Sequence, residues 1–183
     1  MEYPGLLISS ARTLERSASS EVYYLLSEIL GCSDIDVKPV REIPGLSIAT
    51  FSDDPILILE KIRTEIEQDQ SFFQYTLKII PIQYRTSTSL DNLSQIALIF
   101  NDIIDNDKTW RINLRRRHSQ LSREEIIGAV AEKITKGKVM LENSDYYIYI
   151  ETLGKWTYLS ISNQPEFSIS KLKIDENNDT FTF

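Results

Sequence analysis

The chain has 183 residues, of which 42% are hydrophobic, and a formal net charge of −7; such values are typical of a globular protein with one large domain or two small ones. Its longest apolar runs, ILIL and IALIF, are far below the roughly 18 residues that span a membrane, and its amino terminus does not have the pattern of a secretory signal. The single cysteine, Cys32, excludes an internal disulfide. These features predict a cytoplasmic protein without a membrane segment.

Positive charge is concentrated in one part of the chain. Residues 108–138 carry nine basic and three acidic side chains, a local balance of +6, which leaves −13 for the rest. This asymmetry indicates an anionic partner that contacts one region. The densest part is TWRINLRRRHSQLSREEIIGAV at 109–130, with three consecutive arginines and the only histidine.

The first half of the chain predicts an amino-terminal ferredoxin-like domain with its linker, residues 1–88. PGLLIS predicts a buried strand, residues 14–30 a helix, and DVKPVREI with GLSIATFS a hairpin. A second helix follows Asp54 and Pro55, and FQYTLKIIPIQYRTST predicts an extended segment that is interrupted at Pro81. The order strand, helix, strand, strand, helix, strand is that of a split β-α-β unit.

A second α/β domain is predicted over residues 89–165. LDNLSQIALIFNDII has the spacing of an amphipathic helix, and TWRINLR alternates like a strand with one buried face. Ser122 and Glu125 form the pattern of a capping box, which predicts a helix over about 123–136. YYIYIE and TYLSIS predict two more strands, and residues 166–183 an acidic, flexible tail.

The alternation of TWRINLR also positions the arginines. If Trp110 and Leu114 face the core, a longer strand would bury Arg116, and burying an unpaired guanidinium is prohibitive. The strand is therefore expected to end by about Arg115. The arginines and His118 would then lie between the carboxyl end of a strand and a helix amino terminus, where α/β sheets usually bind ligands. A solvated loop whose arginines pair with nearby glutamates is an equal alternative.

Two further features leave alternatives open. Tyr147 and Tyr149 face away from Ile148 and Ile150 and could stack on bases, but the same pattern is expected when helices cover both faces of a sheet, and a core role is favoured. Gly128, inside a predicted helix, indicates either close packing or a close backbone approach by a partner.

Motifs of catalysis are missing from the sequence. There is no phosphate-binding or dinucleotide-binding glycine motif, no H-E-x-x-H and no cysteine pair for zinc. A catalytic pair of Cys32 and His118 would join two different predicted domains. No catalytic residue, metal or cofactor is therefore predicted.

The second unit resembles a THUMP domain, an RNA-binding module of tRNA-modifying enzymes. The resemblance rests on WRINLRRRH, on SREEIIGAVAEKI and above all on GKVMLENSDYYIYIE. Ser144 stands where the family usually has proline, and Met140 where aspartate is common. THUMP domains are usually joined to a ferredoxin-like unit, so the resemblance extends over about residues 4–163.

Most THUMP proteins also carry a catalytic domain, which we do not expect in this chain. Its opening, SSARTLERSASSEVYYLL, and its layout resemble the stand-alone THUMP adaptor of a tRNA cytidine acetyltransferase. The resemblance implies a non-catalytic protein that binds tRNA near the acceptor stem and presents it to a separate acetyltransferase, with neither DNA nor a membrane as partner.

An RNA stem is recognised by shape and backbone, so dispersed cationic side chains suit it. The predicted phosphate contacts are Arg115, Arg116, Arg117 and His118, supported by Lys133, Lys136 and Lys138, with Arg111 and Asn113 as weaker candidates. One alternative is an RNA-binding subunit of another tRNA modification system, acting in methylation or thiolation. Another is a protein-interaction module whose basic surface docks an acidic partner, and a third, disfavoured by the missing motifs, is an enzyme of unknown type.

Overall fold

The computed structural model describes residues 1–69 and 71–169. Within these ranges the chain forms two compact units. The amino-terminal unit comprises residues 4–81 and the described residues from Glu166, and the carboxyl-terminal unit comprises residues 1–3 and 82–165. No helix in the described ranges is both long and apolar enough to cross a membrane.

The amino-terminal unit has the sheet order β2-β3-β1-β4, which is that of the predicted split β-α-β arrangement. Strand β3 pairs antiparallel with both β1 and β2. The elements in chain order are β1 (Glu2–Ser10), α1 (Glu15–Tyr24) with a following π-helical turn (Leu25–Ile29), β2 (Asp36–Pro39), β3 (Leu46–Thr50), α2 (Pro55–Gln68) and β4 (Thr76–Ser87), whose second half belongs to the other unit.

The carboxyl-terminal unit has the sheet order β4-β8-β7-β5-β6. Strand β5 is parallel to β6 and β7, and β8 is antiparallel to β4 and β7. The elements in chain order are α3 (Leu90–Ile103), β5 (Thr109–Arg117), α4 (Arg123–Ala131), β6 (Lys138–Val139), β7 (Tyr146–Leu153) and β8 (Trp156–Ser162). That residues 1–88 and 89–165 fold as independent domains stays a prediction.

Strand β4 continues through Pro81, where the sequence predicted an interruption. The proline lies between two paired stretches of the strand: Lys78 and Ile79 pair with β9 (Phe167–Ser168), and Tyr84–Ser87 pair with β8. Proline has no N–H to donate, and it is tolerated here because its position lies between the stretches of β4 that pair with β9 and with β8. The first residues of the predicted flexible tail therefore include a short strand, and the part from residue 170 lies outside the described residues.

Both helices of the carboxyl-terminal unit pack on one face of its sheet. The buried side chains of α3 and α4 share a single cluster with alternate residues of the strands, including Trp110, Leu114, Ile148 and Ile150. The two described helices thus cover the same face. The tyrosine pattern was also compatible with helices on both faces of the sheet.

The second face of this sheet carries the predicted tyrosine pair. The rings of Tyr147 and Tyr149 stack with their centroids 6.5 Å apart. Tyr149 is 2% exposed, and its hydroxyl donates to the carbonyl of Gln164 at 3.1 Å. Tyr149 therefore serves packing, as the sequence favoured.

Helix α4 begins where the capping box predicts and ends about five residues early. The Ser122 hydroxyl accepts the N–H of Glu125 at 3.2 Å, and the Glu125 carboxylate accepts the N–H of Ser122 at 2.7 Å. The helix ends at Ala131 because the chain is then held by Asn101 of α3. The Asn101 side-chain oxygen accepts the N–H groups of residues 135 and 136, at 2.8 and 3.1 Å, instead of helical carbonyls.

Strand β5 extends to Arg117, two residues beyond its predicted end. The expectation was wrong because Arg116 is exposed although it follows Leu114 in the alternation. Its guanidinium reaches past the core and donates to the carbonyl of Leu121 in the loop before α4. His118, with φ of +54°, then ends the strand.

Candidate nucleic-acid interface

The carboxyl ends of three strands meet at one edge of the carboxyl-terminal unit, which we call the carboxyl edge. The register aligns Ser87 of β4, Trp156 of β8, Leu153 of β7 and Arg117 of β5 in one row. Because β4, β5 and β7 run in the same direction, all three end at this row. This is the position at which α/β sheets usually bind ligands.

Backbone hydrogen bonds hold the connections at the carboxyl edge together. The N–H of Gly154 donates to the carbonyl of Arg117 at 2.9 Å, and the N–H of Thr88 donates to the carbonyl of Lys155 at 2.9 Å. The Thr88 hydroxyl also donates to the Gly154 carbonyl at 3.0 Å. The turn between β7 and β8 is therefore joined to the segments that precede α3 and α4.

A concavity of about 400 Å³ opens at the carboxyl edge. Helices α3 and α4 both begin beside it, and helix amino termini attract anions through their unpaired N–H groups and partial positive charge. The lining residues come from three connections and are Ser87, Thr88, His118, Gln120, Leu121, Gly154 and Lys155.

Two of the predicted arginines share a buried carboxylate. Arg115 and Arg117 lie on the same face of β5 as Glu151 of β7, whose side chain is 4% exposed. The guanidinium of Arg117 donates to one Glu151 oxygen, and Nε of Arg115 lies 4.0 Å from the other. Arg117 therefore compensates the buried charge of Glu151, whereas Arg115, with a side chain 53% exposed, is accessible to a phosphate.

Two further arginines are exposed near the start of α4. Arg116 lies on the opposite face of β5 from Arg115 and bonds to the Leu121 carbonyl. The guanidinium of Arg123, at the first position of α4, donates to the carbonyl of Leu114 at 3.3 Å. Each cation is oriented by one carbonyl and still exposed to solvent.

Lys155 and Arg123 are the cations that the predicted set of contacts missed. His118 is exposed and lines the same concavity as Lys155. In the sequence Lys155 belongs to a connection between two strands, and no spacing pattern relates it to residue 118. The parallel pairing of β5 with β7 brings them together.

The three predicted lysines lie at the other end of β5. Lys138 pairs with Thr109, the first residue of β5, because α4 runs back along the sheet. Arg117 lies eight positions after Thr109 in the strand, about 26 Å away at roughly 3.3 Å per residue. The structure thus places the predicted phosphate contacts at the two opposite ends of β5. We call Lys133, Lys136 and Lys138, with the neighbouring residues 139–141, the lysine edge.

The lysine edge also presents apolar side chains. Val139, Met140 and Leu141 are 62%, 45% and 72% exposed. The segment is held in place because the Ser144 hydroxyl donates to the Met140 carbonyl and the guanidinium of Arg111 donates to the Leu141 carbonyl. Serine at the family's usual proline position thus contributes a hydrogen bond to this turn.

The weaker candidates, Arg111 and Asn113, lie in the middle of β5 and are half-buried. The guanidinium of Arg111 donates to the carbonyl of Leu141, in the connection between β6 and β7. Neither residue belongs to the lining of the concavity at the carboxyl edge. Arg111 therefore contacts the lysine edge through Leu141.

The family comparison agrees with this geometry. Residues 88–162 match the model of the THUMP domain. The chain therefore carries a THUMP domain. The matched range contains α3, α4 and strands β5 to β8, and with them both the carboxyl edge and the lysine edge of the THUMP domain.

Among relatives, uncharacterized protein MJ0421 of Methanocaldococcus jannaschii is 24% identical over 94 residues, which cover 49% of this chain and 26% of that protein. The chain thus spans about a quarter of the length of this curated relative.

Three solved structures share the fold. PH1313 of Pyrococcus horikoshii has a TM-score of 0.59 at 17% identity, with 90% of this chain and 55% of that chain covered. TrmN of Thermus thermophilus has a TM-score of 0.54 at 13% identity, covering 91% and 47%. A 4-thiouridine synthetase, in complex with RNA and bound ATP, has a TM-score of 0.55 at 9% identity, covering 87% and 41%. The predicted fold class, an amino-terminal α/β unit followed by a THUMP α/β domain, is confirmed.

Proposed function

We propose that this chain binds tRNA at the carboxyl edge of its THUMP domain and presents it to a separate tRNA-modifying enzyme. The observation that carries the proposal is that the carboxyl edge of the matched domain has a concavity lined by exposed His118 and Lys155, with exposed Arg115 and Arg116 at the end of the adjoining strand β5. Dispersed cations beside two helix amino termini suit the phosphates of an RNA backbone. Arg117 contributes by holding the edge together through Glu151.

A binding assay with matched variants tests this assignment. We expect the triple variant R115A/R116A/K155A to bind tRNA more weakly. The slope of the logarithm of the binding constant against the logarithm of the salt concentration should become shallower by about 0.7 to 0.9 for each lost phosphate contact. Arg117 is retained because its loss would perturb Glu151. The matched control, K133A/K136A/K138A, removes the same charge at the lysine edge. Equal effects of the two variants would contradict a defined RNA surface, and a loss confined to the control would place the RNA at the lysine edge.

Within this function, we propose that the partner enzyme is a tRNA cytidine acetyltransferase, that the contact with tRNA is near the acceptor stem, and that the complex acts in the cytoplasm. The chain layout and its opening segment support this role, in which the chain itself is not catalytic. Reconstitution tests it: purified chain, tRNA and an acetyl donor should give no acetylated cytidine until the acetyltransferase is added. Product formed by the chain without the acetyltransferase would contradict the adaptor role.

The first alternative is a partner enzyme that thiolates or methylates tRNA. The chain shares the fold of 41% of a 4-thiouridine synthetase whose structure contains RNA, which favours a subunit for thiolation; methylation is the other candidate reaction. The same reconstitution, repeated with a thiolating and a methylating enzyme, discriminates among these partners by the nucleoside that is formed.

Protein docking is a second candidate function, favoured by the lysine edge. Exposed Val139 and Leu141 beside three lysines suit an acidic and partly apolar segment of a partner protein better than they suit phosphates. In an adaptor, tRNA would then occupy one edge and the enzyme the other.

Substitution of the apolar side chains tests protein docking. We expect V139S/L141S to weaken binding of the acetyltransferase, measured by calorimetry, and to leave tRNA binding unchanged. Leu57→Ser, at a residue 55% exposed in the amino-terminal unit, is the control. Unchanged enzyme binding by V139S/L141S would exclude this surface.

A further inference from the structure

A second concavity, of about 310 Å³, adjoins the carboxyl edge. It shares Ser87 with the concavity that contains Lys155 and His118. None of the predicted phosphate contacts lines it. Its lining residues, all from the carboxyl-terminal unit, are Met1, Glu2, Tyr3, Arg85, Thr86, Ser87 and Trp156.

An aromatic stack forms one wall of this concavity. The guanidinium carbon of Arg85 lies 4.5 Å from the ring centroid of Tyr3 and 4.5 Å from that of Trp156. Tyr3 also packs edge-on against Tyr158, with ring centroids 5.8 Å apart. Two cation–π contacts hold the guanidinium, so the stack is a fixed feature of strands β1, β4 and β8.

Trp156 is the exposed member of this stack. It is 37% exposed, although a tryptophan that serves only packing is usually mostly buried, as Trp110 is at 4%. An indole fixed from one side and open to solvent is the platform on which proteins stack the bases of single-stranded RNA.

We propose that this concavity binds one unpaired nucleobase of an RNA, stacked on Trp156, while Lys155 and His118 in the adjoining concavity contact a phosphate of the same strand. The inference rests on the proposed RNA-binding function and assigns Trp156 as the residue on which a base of that RNA stacks. Phosphate neutralisation and base stacking side by side are the usual combination at single-strand sites.

The charge of the concavity favours a base over a phosphate. Glu2 contributes a carboxylate to the lining, which repels a phosphate and can accept a hydrogen bond from the N–H groups of a base. The positive charge of Arg85 lies between two rings, where it anchors the aromatic wall. The phosphate is therefore assigned to the neighbouring cations.

Tryptophan fluorescence reports on this site directly. Because Trp110 is buried and Trp156 is exposed, a single-stranded RNA tetranucleotide is expected to quench the emission of Trp156. The Trp156→Ala variant should lose this quenching and bind the tetranucleotide about 5- to 150-fold more weakly, the range for one stacked base. Trp156→Phe, which keeps a ring, should recover part of the affinity. Emission of Trp110 serves as the folding reference in both variants.

A short blunt RNA duplex and one control variant complete the test. Trp156→Ala should bind the duplex as the unmodified chain does, because a duplex offers no unpaired base. Tyr23→Ala, at an aromatic residue 50% exposed in the amino-terminal unit, should bind both RNAs normally.

Three results would overturn the inference. The first is a tetranucleotide affinity that Trp156→Ala leaves unchanged. The second is an equal loss of tetranucleotide and duplex, because Trp156 would then act through the fold. The third, failure of the unmodified chain to bind any RNA, would overturn the proposed function as well and is thus distinguishable from the first two.

Discussion

Arg117 of β5 donates to the carboxylate of Glu151 on β7, and the Glu151 side chain is 4% exposed. Removing the closest cation from a buried carboxylate is costly because the negative charge is then compensated less well. We expect Arg117→Ala to lower the free energy of unfolding by about 3 kcal/mol, the lower end of the range for such pairs. Urea denaturation measures this change.

Arg115 provides the comparison for that measurement. Its Nε lies 4.0 Å from Glu151 and its side chain is 53% exposed, so Arg115→Ala should cost less than about 1 kcal/mol. Equal destabilisation by the two substitutions would contradict the structural role assigned to Arg117. In the tRNA assay, at equal concentrations of folded protein, Arg115→Ala should weaken binding more than Arg117→Ala does.

The capping box of α4 makes the carboxyl group of Glu125 a reporter of local structure. The N–H of Ser122, and then its hydroxyl, hold the pKa of Glu125 below its ordinary value of 4.5. A lowered pKa in the folded state means that the ionised carboxylate stabilises the fold above about pH 4.5 and that this stabilisation is lost as the pH falls through the lowered value. Carbon-13 NMR titration of the carboxyl group measures the pKa.

Ser122→Ala should change both stability and titration. Loss of an N-cap serine costs about 1 kcal/mol. The pKa of Glu125 should rise only part of the way, because the backbone N–H of residue 122 still donates. A pKa that is the same with and without the Ser122 hydroxyl would show that the hydroxyl does not contribute.

The sequence left two explanations for Gly128: close packing, or a close approach of a partner to the backbone. A Cβ atom built at this position meets none of the described residues within 4 Å, so close packing against that part of the chain is not the reason for a glycine in α4. Gly128→Ala should therefore raise the free energy of unfolding by about 0.5 to 1 kcal/mol through helix propensity. Weaker tRNA or enzyme binding by this more stable variant would indicate a partner that approaches the backbone, whereas unchanged binding would exclude such an approach.

Gly137 and Gly154 should respond differently to alanine. Both have positive φ, +68° and +62°, but a Cβ at Gly137 would lie 2.5 Å from the Lys108 carbonyl oxygen, whereas a Cβ at Gly154 meets no atom of residues 1–69 or 71–169 within 4 Å. Gly154→Ala should cost about 1 kcal/mol for the left-handed backbone alone. Gly137→Ala should cost at least about 2 kcal/mol because the contact adds to the backbone term. Similar melting temperatures of the two variants would contradict the clash.

Much of the local structure could be predicted because its causes are local. Ser122 and Glu125 are three residues apart, and their reciprocal hydrogen bonds begin α4 where the pattern indicates. The end of the same helix could not be predicted, because Asn101 captures the chain at residues 135 and 136 from another helix. The error at the end of β5 has a similar origin, since only the loop before α4 provides the carbonyl that Arg116 contacts.

Periodicity, capping and charge are properties of neighbouring residues, so the two α/β units, the THUMP resemblance and the concentration of cations near the arginines can be inferred from the sequence. How those cations are used depends on the folded chain. The parallel pairing of β5 with β7 buries Glu151 against Arg117, brings Lys155 to the same concavity as His118, and leaves the lysines at the opposite end of the strand. Strand pairing joins residues that are distant in the chain, so which cations share a surface depends on register and strand direction, which the pattern of side chains does not contain.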